Sequence, residues 1–432
     1  MHNSGCSNFS TLIFLTNSSI GYSKCFPQWF SYGRSLYETA PGYTDPQFPD
    51  HVCRLNKFLY GLKQAPRAWY THLNVFLQKL GFVISRDDSS LFMRRTSDGV
   101  IHLLVYVDDI ILTDSNLGCL QNLIATLHKE FALKDLAELS FFLGVTRTPA
   151  GLFLSQRRYI EDLLERANMH GAKPVSTPFT TSTGLNPVGG TPLSNPTVYR
   201  SLVGGLQYLL ITRPELAFAV NKVCEFMQNP TDKNLLLVKR ILRYLQGTFC
   251  YGITLRGSPT LKLNFQAYTD ADWAGDQTDR RSTSGYCVFL GSNIISWSAR
   301  KHKTVSKSST EAEYRGLAIA TAELMWIESL LKELQVQVCT PPVLWCDNLG
   351  DTYLTMNPVF HGRTKHIKID YHFIRERVQR GQLDVRFVSS QDQIADIFTK
   401  RTPKQRFTSL RSKLTVSDHP LRSRGSVREK ES

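Results

Sequence analysis

The chain has 432 residues, enough for two or three domains of ordinary size, so it is not a small scaffold that depends on disulfides. Hydrophobic residues make up 42% and aromatic residues 11% of the chain, which argues against a largely disordered protein. The 51 Lys and Arg residues exceed the 37 Asp and Glu residues by 14. This positive charge favours a polyanionic partner such as nucleic acid, although many proteins are mildly basic.

The cysteines and apolar runs indicate the cellular environment. The nine cysteines show neither a disulfide framework nor zinc-binding spacing, so we interpret them as reduced thiols. The runs Leu103–Val107 and Leu206–Ile211 are far shorter than the roughly 20 residues that span a bilayer. Leu12–Leu15 is too short for a signal-peptide core. We therefore expect an intracellular protein, cytoplasmic or nuclear, with no signal peptide or transmembrane segment.

The N-terminal half predicts a mixed α+β organisation. The first 40 residues show neither helical periodicity nor strand alternation, and no element is predicted there. A helix is predicted over Ala65–Leu80, ending at Gly81. A strand follows over Leu91–Arg94, and a hairpin over Val100–Thr113.

The middle of the chain predicts a boundary between domains. Five prolines among Ser, Thr and Gly indicate a linker over residues 171–198, because this composition sustains neither helix nor sheet. Helices are then predicted over Tyr199–Met227, interrupted at Pro214, and over Asp232–Leu245. We interpret this stretch as a helical connection.

The C-terminal part predicts an α/β domain. Three strands in an antiparallel meander are expected from Leu261, over Gly285–Leu290 and over Ile294–Ser298. A helix follows from Thr310 to about Leu334, then a strand over Val343–Cys346 that leads into a helix, and a closing helix over Ser390–Lys400.

Two adjacent acids, Asp108 and Asp109, interrupt the apolar run 103–112 of the predicted hairpin. One interpretation is a solvated turn, since an Asp-Asp pair forms turns readily. The other is a tip that presents carboxylates to divalent metal ions for phosphoryl transfer.

Four further acids stand at or near the ends of predicted elements. Asp270 ends the first alternating strand, Asp347 follows Val343–Cys346, and Asp396 lies beside Ile394 and Ile397 in the closing helix. Asp270 is equally compatible with an acidic turn.

Glu313 has two interpretations. Thr310 and Glu313 have the spacing of a capping box, in which Glu313 would only satisfy backbone donors. However, Glu313 lies four residues before Leu317 in the apolar stripe of its helix, so we expect it to face the sheet. Glu311 is expected at the surface of the first turn.

The residues around these acids resemble the Pol polyproteins of copia-type retrotransposons. Tyr106-Val107-Asp108-Asp109 resembles the catalytic hairpin of reverse transcriptases. Residues 59–70, which include Gly61, Gln64 and Pro66, are similar to their nucleotide-side motif. Six further stretches are similar to the ribonuclease H that follows the polymerase in the same polyproteins: residues 270–275, 280–286, 308–314, 346–348, 363–367 and 395–400.

The resemblance implies an arrangement of domains. A truncated reverse-transcriptase palm and thumb is expected over residues 41–170, the linker over 171–198 and the helical connection over 199–258. An α/β ribonuclease H-like domain is expected over 259–405, and a polar tail over 406–432.

The resemblance also implies the chemistry of the sites. Asp270, Glu313, Asp347 and Asp396 are expected to hold two Mg²⁺ or Mn²⁺ ions that activate water against an RNA phosphate. Asp351, where the family usually has a small residue, adds a carboxylate nearby. Asp108 and Asp109 are expected to be metal ligands of the polymerase remnant. An RNA/DNA hybrid or another nucleic acid is the expected partner, and its phosphates would contact Arg300, Lys301, Lys303, Lys307, Arg363 and Lys365, unless these form solvated basic loops.

The polymerase of this family carries a third aspartate in a motif reading Leu-Asp-Val/Ile-x-Asn-Ala-Phe-Leu-x-Gly, which this chain lacks. Permitted codons for Ile20–Cys25, shifted by one base, read Leu-Asp-Ile-Gln-Asn-Ala. We therefore interpret residues 1–40 as an irregular segment in which roughly residues 20–40 are translated out of frame. An inactive polymerase remnant joined to a ribonuclease H site is expected. The alternative is a non-catalytic relic that binds nucleic acid through charge alone.

Overall fold

A computed structural model of the chain describes residues 19–25, 29–30, 36–37, 47–48, 51, 53–54, 57–58, 65–96, 99–106, 109–114, 116–131, 133–135, 144–180, 189–257, 263–276, 278–336, 338, 340–356 and 367–419. The chain divides into two compact units, with the boundary between Phe142 and Leu143. Both units mix helices and strands, as the sequence predicts. In the part of the chain that is described, no helix is long and apolar enough to cross a membrane.

The first unit is built from short strands and two helices. Its elements are β1 (Ser19–Cys25), β2 (Trp29–Phe30), β3 (Leu36–Tyr37), β4 (Cys53–Arg54), β5 (Lys57–Phe58), α1 (Ala65–Lys79), β6 (Val83–Ile84), β7 (Leu91–Thr96), β8 (Gly99–Tyr106), β9 (Asp109–Asp114), α2 (Leu117–Glu130) and β10 (Leu133–Asp135). Six of the strands form one antiparallel sheet with the order β10-β1-β9-β8-β7-β6.

The core of the first unit lies between this sheet and helices α1 and α2. Leu73 and Leu77 of α1 are fully buried, and they share one apolar cluster with Leu103, Leu112 and Leu127. The predicted helix and hairpin are confirmed here, since β8 and β9 pair from His102 opposite Thr113 to Tyr106 opposite Asp109.

Strand β1 was not expected from the sequence. It lies between β9 and β10, with Tyr22 opposite Ile111 and Lys24 opposite Asp109. Its residues, Ser-Ile-Gly-Tyr-Ser-Lys-Cys, do not show the alternation of a half-buried strand. Pairing on both edges supplies backbone hydrogen bonds whatever the side chains are, so the strand forms without a recognisable pattern.

The second unit contains two sheets and most of the helices. Its elements are β11 (Val145–Thr148), β12 (Gly151–Leu154), α3 (Arg157–Arg166), α4 (Pro196–Leu209), a 3₁₀ turn (Pro214–Leu216), α5 (Ala217–Cys224), α6 (Asp232–Gln246), β13 (Gly252–Arg256), β14 (Phe265–Asp272), β15 (Thr283–Leu290), β16 (Asn293–Lys301), α7 (Ser309–Glu333), β17 (Val343–Cys346), α8 (Leu349–Met356), α9 (Lys368–Gln379), β18 (Asp384–Phe387), α10 (Asp396–Thr399), α11 (Lys404–Lys413) and β19 (Val416–Ser417).

A five-stranded sheet with the order β16-β15-β14-β17-β18 organises the part of this unit that carries the acids. Strands β14, β15 and β16 form the predicted antiparallel meander, and β14, β17 and β18 run parallel. Helix α7 packs on the sheet through Leu317, Leu324 and Leu331, which are fully buried. A second sheet, β11-β12-β13-β19, is antiparallel.

Several segments of this unit differ from the sequence expectations. Strands β11, β12, β13 and β18 and helices α3 and α9 were not predicted. The closing helix expected over Ser390–Lys400 is confined to Asp396–Thr399, because the Gln393 side chain accepts a bond from Ala395 N and donates to Thr269 O. The polar tail expected from residue 406 instead begins within helix α11 and continues into β19, with Phe407 and Leu410 buried.

Candidate metal centre

Asp270 lies on the central strand β14 and is fully buried. Its Oδ1 accepts a bond from Lys400 Nζ at 2.9 Å, and its Oδ2 accepts one from the Thr399 hydroxyl. Asp396 begins α10, one turn before Lys400. The buried Asp270 on the central strand is therefore held by Thr399 and Lys400, which follow Asp396 in the chain.

Asp347 joins this pair from the neighbouring strand. Strands β14 and β17 are parallel, so the end of β17 brings Asp347 to the same edge of the sheet as the end of β14. Carboxylate oxygens of Asp270, Asp347 and Asp396 lie within 4.8 Å of one another. Ser390 Oγ donates to Asp347 Oδ2 at 3.2 Å. The structure therefore brings three of the four predicted acids together.

Glu313 completes the set from helix α7. A carboxylate oxygen of Glu313, the Cys346 Sγ and a carboxylate oxygen of Asp347 lie within 4.8 Å of one another. Asp347 thus belongs to both groups of ligand atoms. Glu313 faces the sheet, as the register with Leu317 predicts.

The capping role that competed for Glu313 belongs to Glu311. Helix α7 begins at Ser309, and the hydroxyl of its N-cap Ser308 accepts a bond from Glu311 N. The Glu311 carboxylate accepts bonds from Lys307 N at 2.8 Å and from Arg315 at 2.7 Å. Glu311 is buried, so the expectation that it lies at the surface was wrong. The reason is that its carboxylate turns back to bind Lys307 N and Arg315, which cover it.

The acids strongly perturb one another. Burial raises the pKa of Asp270 to about 6; Lys400 opposes this shift and Asp396 adds to it. Burial, together with Asp270, Asp347 and Asp351, raises the pKa of Glu313 to about 10. Burial and Asp347 raise the pKa of Asp351 to about 8. Such a concentration of buried carboxyl groups is typical of a site that binds cations.

Lys400 and Arg406 supply positive charge that the sequence analysis did not assign to the site. Lys400 Nζ lies 2.9 Å from Asp270 Oδ1 and 3.0 Å from Asp396 Oδ1, and an Arg406 NH2 group pairs with Asp396 Oδ2. Burial alone would lower the pKa of Lys400, but the two carboxylates raise it above its ordinary value. The signals in the sequence were the spacing of four residues between Asp396 and Lys400 and the place of Lys400 at the end of the motif over residues 395–400.

The donor atoms fit a hard divalent cation. The four acids offer carboxylate oxygens, which Mg²⁺ and Mn²⁺ prefer over softer ligands. Glu313 Oε2 is buried and has no hydrogen-bond partner among the residues that the structure describes, so it is available to an ion. Burial raises the pKa of the nearby Cys346 thiol well above its ordinary value, which keeps that sulfur protonated and a poor ligand.

The predicted phosphate contacts fall into three groups. Arg300, Lys303 and Lys307 are exposed. Lys301 Nζ instead lies 2.7 Å from Asp276 Oδ2 and 3.0 Å from Asp279 Oδ2, so its charge is already balanced by carboxylates. Arg363 and Lys365 lie outside the described residues.

The predicted polymerase residues are only partly described. Asp109 begins β9, and Pro66 is exposed at the start of α1. Asp108, Gly61 and Gln64 lie outside the described residues. Strand β1, which pairs with β9, contains no acidic residue.

Comparison with known proteins agrees with these features. A family model described as reverse transcriptase (RNA-dependent DNA polymerase) matches residues 34–181. The chain is 52% identical over 382 residues to a retrovirus-related Pol polyprotein from transposon RE1 of Arabidopsis thaliana, covering 88% of this chain and 26% of that protein. It is 39% identical over 372 residues to a Pol polyprotein from transposon TNT 1-94 of Nicotiana tabacum, covering 82% of this chain and 27% of the relative.

Two solved structures show similar but distant arrangements. A foamy viral protease-reverse transcriptase in complex with double-stranded DNA aligns with a TM-score of 0.49 and 11% identity, over 88% of this chain and 59% of that one. An N-terminal ribonuclease H domain from Mycobacterium tuberculosis aligns with a TM-score of 0.24 and 13% identity, over 35% of this chain and 98% of that fusion chain.

The matches define a Pol polyprotein fragment that includes part of a reverse transcriptase domain, and the structure adds a five-stranded α/β sheet that carries the acid cluster. The chain belongs to the retrovirus-related Pol polyproteins of copia-type transposons. It spans about a quarter of the length of the curated Pol polyproteins that it matches.

Proposed function

We propose that the second unit is a ribonuclease H that hydrolyses the RNA strand of RNA/DNA hybrids. The observation that carries this proposal is the convergence of Asp270, Asp347 and Asp396, whose carboxylate oxygens lie within 4.8 Å of one another. Glu313 meets the same site through Asp347. Four carboxylates from a sheet edge, a long helix and a short helix match the requirements of two-metal phosphoryl transfer.

Each acid has a separate part in this mechanism. Asp347 belongs to both groups of ligand atoms, so it would help to hold the divalent ions, and Ser390 orients it. Divalent ions held there would activate a water molecule and stabilise the leaving oxygen. Glu313, whose pKa is raised to about 10, holds a proton at neutral pH and must release it when an ion binds.

The basic segment before helix α7 would hold the substrate. Arg300, Lys303 and Lys307 are exposed, and contacts from such side chains to phosphates supply affinity without reading sequence. Arg363 and Lys365 would add to this contact. Lys301 is not included, because its ammonium group is paired with Asp276 and Asp279.

The first unit is proposed to be a polymerase remnant without activity. Asp108 and Asp109 would supply carboxylates from one hairpin, but the adjacent strand β1 offers Gly21 and Tyr22 opposite Leu112 and Ile111. A frame shift over roughly residues 20–40 would account for the missing aspartate, because one permitted set of codons for Ile20–Cys25 encodes it in the shifted frame. Sequencing of the encoding DNA tests this origin directly, since codons that cannot yield the shifted reading would rule it out.

The proposed activity is tested with the full chain and a labelled RNA/DNA hybrid in Mg²⁺ or Mn²⁺. We expect cleavage of the RNA strand by the parent protein and none by the Asp347→Asn variant. Asp384→Asn is the matched control, because Asp384 is a partly exposed acid that pairs with Arg386 on β18. Folded protein that leaves the hybrid intact would instead support the non-catalytic relic.

A further inference from the structure

Lys400 occupies an unusual position for a surface lysine. Its ammonium group lies 2.9 Å from Asp270 Oδ1 and 3.0 Å from Asp396 Oδ1, and so it bridges two acids that approach each other within the candidate metal centre. The Asp270 side chain is fully buried, whereas 40% of the Lys400 side chain is exposed. The ammonium group of Lys400 therefore lies within the site, whereas its side chain as a whole remains partly exposed to solvent.

The ammonium group and a divalent ion would compete for the same oxygens. A Mg²⁺ ion binds carboxylate oxygens at about 2.0–2.1 Å in a nearly ideal octahedron. An ammonium nitrogen within hydrogen-bond distance of both Oδ1 atoms fills the space between them. Because the two cations would also repel each other, both cannot stay at that position.

We propose that Lys400 is the resident counter-cation of this acid cluster, and that its ammonium group leaves Asp270 and Asp396 when a divalent ion binds at the site. The inference rests on the proposed function, because it concerns the same metal centre. Lys400 is a positioning residue in this account, since it sets the charge of the site before an ion binds.

The local structure allows this exchange without unfolding. The backbone of Lys400 is held by the bond from its N to Asp396 O at 2.9 Å, so only the side chain has to rotate. A lysine has a flexible four-carbon stem and a compact charge, which suits such a movement. Arg406 stays on the outer Oδ2 of Asp396, so that acid keeps one partner when Lys400 leaves.

The exchange also explains how the cluster is stable without metal. A buried carboxylate that loses its partner is strongly destabilising. Lys400 balances Asp270 while the ion is absent, and the ion balances it afterwards. Removal of the Lys400 charge should therefore weaken the metal-free fold and strengthen metal binding at the same time.

The test compares Mn²⁺ binding by the full-length parent protein and its Lys400→Gln variant, using titration calorimetry after removal of metal with EDTA. We expect the dissociation constant of Lys400→Gln to be lower by about tenfold, which corresponds to roughly 1.4 kcal/mol. Lys400→Arg keeps the charge and should bind no more tightly than the parent. Lys413→Gln is the control for loss of a lysine, because Lys413 pairs with the exposed Asp392.

Thermal unfolding supplies a second readout that does not depend on catalysis. In EDTA the Lys400→Gln variant should unfold at a lower temperature than the parent, and Mn²⁺ should raise its unfolding temperature by more. Equal Mn²⁺ affinity in the two proteins, or weaker binding by Lys400→Gln, would overturn the inference and leave the metal centre intact. Absence of Mn²⁺ binding in both would refute the proposed metal centre, and the inference with it.

Discussion

Gly285 lies directly opposite Asp270 in the antiparallel ladder between β14 and β15, and helix α10 takes the space that a side chain at position 285 would need. A Cβ atom on Gly285 would lie 2.9 Å from Thr399 Cγ2 and would also collide with Phe398. The missing side chain lets α10 approach the sheet. This approach brings Thr399 and Lys400 into contact with Asp270.

We expect Gly285→Ala to displace α10 from the sheet. Overpacking of a well-packed core typically costs about 1–3 kcal/mol, and the loss of unfolding free energy should fall in that range. Mn²⁺ binding should also weaken, because Asp396 would move away from Asp270. Urea unfolding and calorimetry measure the two effects.

Gly257→Ala is the matched control for this substitution. Apart from its own chain neighbours, no atom of the described residues lies within 4 Å of a Cβ at Gly257, so stability should change by no more than about 0.5 kcal/mol. If Gly285→Ala behaved like this control, the close approach of α10 would not be needed to assemble the site.

Asp351 is a buried acid whose carboxylate makes no hydrogen bond to the described residues around it. It is fully buried, and neither carboxylate oxygen has a hydrogen-bond partner among the described residues. Burial and Asp347 raise its pKa from 3.8 to about 8. A carboxyl whose pKa is raised in the folded state destabilises that state progressively as pH rises from about 4 to about 8.

Asp351→Asn should therefore increase the free energy of unfolding at pH 8, by about 1–3 kcal/mol. At pH 4 the substitution should have little effect, because Asp351 is already protonated in the folded protein. Urea unfolding of both proteins at the two pH values measures the difference. The difference in unfolding free energy between Asp351→Asn and the parent should increase from pH 4 to pH 8. A difference that stayed the same would contradict the raised pKa of Asp351.

The basic segment before helix α7 should determine how strongly the affinity for nucleic acid depends on salt concentration. Replacing both Lys303 and Lys307 by Ala should weaken binding of a hybrid duplex and flatten the plot of log affinity against log salt by about one unit for each lysine. Lys301→Ala should leave that slope unchanged, because its charge is balanced by Asp276 and Asp279.

Fluorescence anisotropy between about 50 and 200 mM salt, with metal removed to prevent cleavage, measures the slopes. The result that would argue against a phosphate contact is an unchanged slope in the double variant. A reduced slope in Lys301→Ala would show that its ion pairs open when nucleic acid binds.

Sequence reasoning succeeded where one face of an element is buried. The stripe that contains Leu317 and Leu324 made α7 predictable and indicated that Glu313 faces the sheet, because burial imposes the helical period. The alternating residues of β14 were recognisable for the same reason.

The features that the sequence did not predict depend mainly on contacts between distant parts of the chain. Lys400 reaches Asp270 across 130 residues, and no local pattern reports such a pair. Strand β18 has only four residues and is defined by its parallel pairing with β17. Phe407 and Leu410 of α11 and its C-cap residue Leu414 do have helical spacing, but the surrounding basic residues made the segment resemble a tail.

We propose that the chain keeps a ribonuclease H site and also contains a polymerase remnant that has lost an acid. The most direct test measures hybrid cleavage and primer extension in parallel, with one preparation of the full chain, in Mg²⁺. The account predicts cleavage of the RNA strand and no extension of the primer. Extension of the primer, or failure of the folded protein to cleave the hybrid, would contradict it.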